Sequence, residues 1–187
     1  MTLIKNDEIN QYIFLLNTCE YLSSEHNIII SSNIYSSVSV CIFDNEKKIG
    51  GMNNFLMPYD FNPEKIYSRE TRIGIHIIDM LINEVLKKGG KRKNLRAKIF
   101  GSSNDTINNF YFAKKYLEIE EIDIVSEKIG NNIGMKIFFY PVGGKVLLKK
   151  IYDKNTIEKI KEKENKDFFE FEKNFSERKD FIDFETF

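Results

Sequence analysis

From Thr71 to Lys88 the apolar residues Ile78, Leu81, Ile82, Val85 and Leu86 recur at three- and four-residue intervals, the spacing that gives a helix one apolar face. Gly89 and Gly90 end it. Such a helix needs a sheet to cover, and the chain supplies strand-like runs on both sides. NIIISS, Asn27 to Ser32, reads as the start of a β-branched strand, and SVSVCIFD as a second strand. Asp44-Asn45-Glu46 supplies turn residues before KKIGGMNNFLMP, where Gly50-Gly51 permits a bulge, a tight turn or a close backbone approach, and Pro58 ends the run. NTCEYLSS suits a short edge strand, and residues 59 to 70 suit a loop. Beyond the helix, LRAKIFGS reads as a buried strand ending in a small-residue turn. Asp105 is placed to cap a second helix running through Asn108, Phe112, Ala113 and Tyr116. Ile122 to Val125 is strand-like, and MKIFFYP and KVLLKKI form an antiparallel pair joined near Val142-Gly143-Gly144. Strands gather at both ends with two helices between them, so an α+β layered fold is expected rather than a strict alternation.

A length of 187 residues suits one well-developed core and is short for two ordinary domains plus a linker. Basic and acidic residues balance to a formal net charge of zero, which argues against a broad nucleic-acid-binding field. The local basic run KKGGKRKNLRAK reads as a solvated helix end and turn, or as a patch that meets an acidic protein partner. No window reaches the apolar length needed to span a bilayer, and the amino terminus lacks the pattern of a signal peptide, so no membrane insertion is expected. Cys19 and Cys41 stand alone, without a CxxC or metal-ligand spacing. This predicts free thiols in a reducing cytoplasm, with no metal and no cofactor.

After Asp153 the chain turns to Lys, Glu and Phe. Ile157, Ile160, Phe168, Phe171 and Phe175 have partial helical spacing, which Asn165 and Lys166 interrupt. The segment reads either as a marginal helix folded back on its own body or as a docking element for a partner, since so many Phe side chains are costly to leave in water.

Five motifs in order resemble one known family. Residues Ile34 to Pro58, IYSSVSVCIFDNEKKIGGMNNFLMP, are similar to the strand of the chemoreceptor glutamine deamidases, the CheD family of bacterial chemotaxis. The resemblance continues through Arg72-Ile73-Gly74 with Asp79-Met80-Leu81-Ile82, Leu95 to Gly101, Ile129 to Lys136, and Gly143 to Leu147. It implies a three-layer α/β/β sandwich. It divides the chain into a lead-in at 1–19, a deamidase-like domain at 20–152 and a Phe-rich extension at 153–187. The implied activity is hydrolysis of receptor glutamine side chains to glutamate with release of ammonia. The implied partners are the cytoplasmic helices of methyl-accepting chemoreceptors and a CheC-type response-regulator phosphatase.

In this register the family's nucleophilic cysteine is replaced by Ser37 and its histidine by Asn54, while Ser31 stands where the family has a threonine that orients the histidine. A cysteine thiol ionises readily beside an imidazolium. A serine hydroxyl must instead lose its proton to a base during attack, and an amide at Asn54 cannot take it. Cys41 matches the second, non-nucleophilic cysteine and is expected to pack in the core. His76, on the middle helix, and His26, before the first strong strand, are out of register with the lost base. Tyr35 replaces a glycine beside the nucleophile position. Ser102-Ser103 replaces Gly-Ala, and Asn131-Asn132 with Lys136 replaces a glycine- and arginine-bearing pattern. The expectation is a chemotaxis protein with lost or weak catalysis that acts by binding receptor or phosphatase. The alternative is an active deamidase that uses Ser37.

Overall fold

The computed structural model describes residues 1–6, 11–57, 69–130 and 132–177. Among these, ten strands and three α-helices form three layers. One sheet has the order β1-β2-β4-β9-β10, built from Thr2–Asn6, Gln11–Leu15, Ile29–Ile34, Gly134–Tyr140 and Lys145–Ile151. The second has the order β3-β6-β5-β7-β8, from Glu20–Ser24, Ile49–Phe55, Val38–Asp44, Leu95–Gly101 and Asp123–Ile129. Most neighbours are antiparallel. The parallel pairs are β2 with β4 and β7 with β8, the latter shifted in register between Ala97 and Lys98.

β5 and β6 are buried along their whole length, which explains why their sequences do not alternate apolar with polar. Val38, Val40 and Ile42 of β5 face the helices α1 (Arg69–Lys87) and α2 (Ile107–Ile119), together with Ile77, Ile78, Leu81, Val85, Phe110 and Ala113. The alternate residues Cys41 and Phe43 face the first sheet, against Ile30, Ile34, Ile137 and Phe139. The order is therefore helices, sheet, sheet. This is the expected α/β/β sandwich.

The middle helix follows its apolar stripe and stops at Gly89, whose φ of 101° suits a residue without a side chain. α2 follows a short 3-10 turn at Asn104–Thr106, and Thr106 is its N-cap. The side chain of Asp105 lies outside the described residues. The buried face of α2 is Asn109, Phe110, Ala113 and Leu117, with Phe112 and Tyr116 packed at its margin, so the expected face is rotated. Pro58 and the expected loop from 59 to 68 lie outside the described residues, while Arg69 and Glu70, expected in that loop, are instead the first residues of α1. NTCEYLSS contributes β3 at a sheet edge, as expected, whereas β1 and β2 had no clear period in the sequence.

The largest departure is at the C-terminal side. α3 (Lys154–Glu177) runs without a break through Asn165 and Lys166. Asp153 caps it, accepting hydrogen bonds from the Thr156 N–H at 2.7 Å and the Thr156 hydroxyl at 2.6 Å. Phe168 and Phe175 are buried in the same cluster as Ile73 and Ile77, and Phe171 packs against it.

The Gly50-Gly51 pair serves close approach. A Cβ on Gly51 would lie 2.6 Å from Leu81 Cδ1 and 2.9 Å from the Leu22 carbonyl oxygen, so α1 seats on the sheet only because that side chain is missing. Gly51→Ala is expected to lower stability by about 1–3 kcal/mol, read as a lower urea midpoint at unchanged slope. Asp44 holds the turn after β5. Its Oδ1 accepts from the N–H of Glu46 at 2.9 Å and of Lys47 at 3.0 Å, and its Oδ2 from the N–H of Lys91 at 2.9 Å. Burial opposes its charge, but these backbone donors outweigh burial and hold the carboxyl below the usual carboxylate range. The resulting stability is present above the unfolded aspartate value and is lost as the pH falls through the folded one. Denaturation curves between about pH 5 and pH 2 should therefore show a shallower acid-induced loss for Asp44→Asn than for the parent chain.

Candidate functional site

Ser37 lies in the bend between β4 and β5, one residue before the strand begins, and is fully buried. β4 and β5 belong to different sheets that pack face to face, and the bend that joins them turns the N–H groups of Tyr35, Ser36 and Ser37 towards α3. One carboxylate receives all three. Glu164 Oε1 accepts from the Tyr35 N–H at 2.9 Å and the Ser37 N–H at 3.1 Å, and Oε2 accepts from the Ser36 N–H at 2.8 Å. The Ser37 hydroxyl donates to the same Oε1. Successive N–H groups converging on one anion make a nest, and four donors nearly fill the acceptor capacity of a carboxylate.

Glu164 is 2 % exposed. Burial lifts its pKa above the ordinary range, and the hydrogen bonds from the Ser37 hydroxyl and the three N–H groups work the other way. Lys161 lies over the Tyr35 ring, with Nζ 4.7 Å from its centroid. The Tyr35 ring thus gains a cation from α3. One turn on, Asp167 Oδ2 accepts the Thr18 N–H at 3.2 Å and pairs with Lys163 at 2.9 Å.

Asn54 is in β6, opposite Ser39 of β5 and Glu20 of β3. It is 1 % exposed, and its Oδ1 is buried without a hydrogen-bond partner. Its carbonyl accepts the Cys19 N–H at 2.6 Å. Together with Asn33, Thr18, Lys159, Lys163, Glu164 and other residues it lines a cavity of about 220 Å³ beneath α3. The Ser31 hydroxyl is fully buried and also without a partner, so no Ser31–Asn54 hydrogen bond forms. It is the neighbouring Ser32 whose hydroxyl crosses to the other sheet, 3.0 Å from that of Ser39. Glu164 therefore closes on Ser37, while Ser31 and Asn54 carry unused polar atoms.

The sequence reading did not single out Glu164. The signal was there: Ile157, Ile160, Glu164, Phe168, Phe171 and Phe175 follow the three-four spacing of one helix face, with the acid at its centre. Read as an apolar pattern, that acid looked like a gap.

A scan against family models matches residues 56–150 to CheD, described as CheD chemotactic sensory transduction. A probable chemoreceptor glutamine deamidase CheD of Methylobacillus flagellatus is 39% identical over 144 residues, covering 71% of this chain and 70% of that protein. The chain belongs to the CheD family. A second relative, a probable chemoreceptor glutamine deamidase CheD of Janthinobacterium, is 35% identical over 146 residues, covering 73% of this chain and 72% of that protein. Among solved structures, the Bacillus licheniformis hypothetical protein YfiH has a TM-score of 0.40 at 13% identity, over 60% of this chain and 51% of that one.

Three other departures from the CheD motifs have local partners in this chain, whereas the Ser103 hydroxyl is buried without one. The Ser102 hydroxyl donates to the Ile133 carbonyl, the Asn132 side chain accepts the Asn104 N–H at 3.0 Å, and Lys136 lies over the Phe138 ring at 5.2 Å. Asn131 lies outside the described residues. Among the described residues no three His, Cys, Asp or Glu side chains gather as metal ligands, and no helix is long and apolar enough to cross a membrane. His76 packs on α3, its ring 5.4 Å from that of Phe175. The basic run is divided between a helix end, a turn and β7, with Arg92 paired to Glu120.

Neither thiol is poised to act as a nucleophile. Cys41 is fully buried between the sheets, and burial pushes its pKa far up. Cys19 is buried, and its pKa is pushed up to about 12 chiefly by desolvation. Iodoacetamide at about pH 8 should leave both unmodified in the native chain and modify both after denaturation, as read by peptide mass mapping. Rapid native labelling of Cys41 would contradict this arrangement.

Proposed function

We propose that this CheD-family chain serves chemotaxis by binding, with deamidation lost or weak, and that its partners are chemoreceptor cytoplasmic helices or a CheC-type phosphatase. The observation that carries the reading is the Glu164 carboxylate on the nucleophile loop. Amide hydrolysis needs a nucleophile, a base, and donors free to stabilise the oxyanion. In this chain the hydroxyl at the nucleophile position is engaged, the base position is an amide, and the N–H groups beside the nucleophile are taken by an anion. The names of the relatives, which specify chemoreceptors, support a receptor partner. In this reading Ser37, Asn54 and Ser31 are the former catalytic positions.

The contact between Ser37 and Glu164 also favours a second reading, in which the carboxylate acts as the base for a serine nucleophile. Geometry weighs against it, because the same carboxylate fills the space and the donors that an attacked carbonyl would need. The two readings separate in one experiment on purified receptor cytoplasmic fragments. Binding without chemistry predicts no ammonia release over hours at micromolar protein. It also predicts co-elution with receptor fragment or phosphatase that survives Ser37→Ala and Asn54→Ala. Ammonia release with a one-dalton mass gain at receptor glutamines, abolished by both Ser37→Ala and Glu164→Gln, would establish the enzyme instead.

A further inference from the structure

We propose that the Tyr35–Ser37 loop is a binding site for a carboxylate carried on a helix, which Glu164 fills in cis, so that α3 is a latch over the family's reaction position. The inference rests on assigning this loop to that position, and it deepens the binding reading by naming the site's ligand.

Three observations carry it. First, the donor set fits a carboxylate and rejects an amide. Three N–H groups and one hydroxyl point at two oxygens. A glutamine side chain there would turn an NH₂ donor towards at least one of those N–H groups and lose its hydrogen bond. The site is thus matched to a glutamate side chain, the product of glutamine hydrolysis, and mismatched to the substrate amide.

Second, α3 supplies that glutamate in the middle of an otherwise apolar stripe. Ile160 and Phe168, one turn to either side, are buried, and Phe175 extends the seat to the cluster of Ile73 and Ile77. An acid at such a position costs stability unless its charge is met, and here the loop meets it. The stripe brings the helix, and the acid sets its register on the loop.

Third, the seat is not sealed. The cavity of about 220 Å³ under α3 is lined in part by Asn54, whose Oδ1 is buried and unpartnered, and by Glu164 itself with Lys159, Lys163 and Asp167 of the same helix. An acceptor left buried and unpaired beneath a helix is unusual where that helix only completes a core. Lifting α3 by one side chain opens the loop to that cavity.

Hydrogen exchange of the full chain reads the latch directly, because the amides of Tyr35, Ser36 and Ser37 are held by Glu164. Glu164→Gln is expected to speed exchange at least tenfold at one or more of these amides, those facing the new NH₂, while the amides of Val40 and Ile42 in β5 stay protected. Adding a synthetic peptide of residues 154–177 to the full-length Glu164→Ala variant should restore protection at the loop. The same peptide carrying glutamine at its central acid should not restore it. Unchanged loop exchange in Glu164→Gln would overturn the proposal, as would equal protection by the two peptides. Loop and β5 amides accelerating together would show that Glu164 only supports the global fold, which also overturns it. Phe168→Ala separates packing from charge: it should loosen the α3 amides while the loop remains better protected than in Glu164→Gln. None of these readouts involves receptor, phosphatase or ammonia, so their failure is distinct from failure of the binding reading.

Discussion

A sheet buried on both faces must be covered on both, and this constraint organises the molecule. β5 and β6 leave no residue in solvent along either strand. One face takes α1 and α2, and the other takes the first sheet, β1-β2-β4-β9-β10, with its own apolar side chains. The glycines of β6 make the first cover possible, since Leu81 approaches where a side chain on Gly51 would stand. Because the two central strands are fixed from both sides, the bend that precedes β5 is fixed too. The N–H groups of that bend inherit their direction from the core.

The parts of this plan with a strong local signal could be read from the chain alone. Ile78, Leu81, Ile82, Val85 and Leu86 specify α1, and the runs around Ile30, Val40 and Ile99 specify buried strands, because periodicity and β-branched composition are local properties. β1 and β2 were not legible, since their pairing with β4 depends on a sheet assembled from segments far apart in the chain. The rotation of α2 had the same origin. Phe112 and Tyr116 are as apolar in sequence as Phe110 and Leu117, and the surface that chooses between them is tertiary.

At the site, the family motifs pointed to the loop that carries Ser37. They could not supply Glu164, because it comes from a helix that follows the resembling region and whose only signature is a charged residue in an apolar row. Asn165 and Lys166 looked like an interruption because they sit on the outer side of α3, where polarity costs nothing. The absence of a histidine was legible, but the presence of an acid in contact with Ser37 required the fold. The acid adds what no motif carried, a carboxyl group held against Ser37 by the loop.

The bond between Tyr35, Ser36 and Ser37 and their partner spans 127 to 129 positions of chain. Closing so long a loop carries an entropic penalty that shorter contacts avoid, so it forms late unless something else brings the ends together. Every strand of both sheets precedes α3, which means that as the polypeptide leaves the ribosome the two sheets and their first two helices can assemble while these three amides are still bonded to water. The loop is therefore made before its cover, and it stays open until α3 has been synthesised.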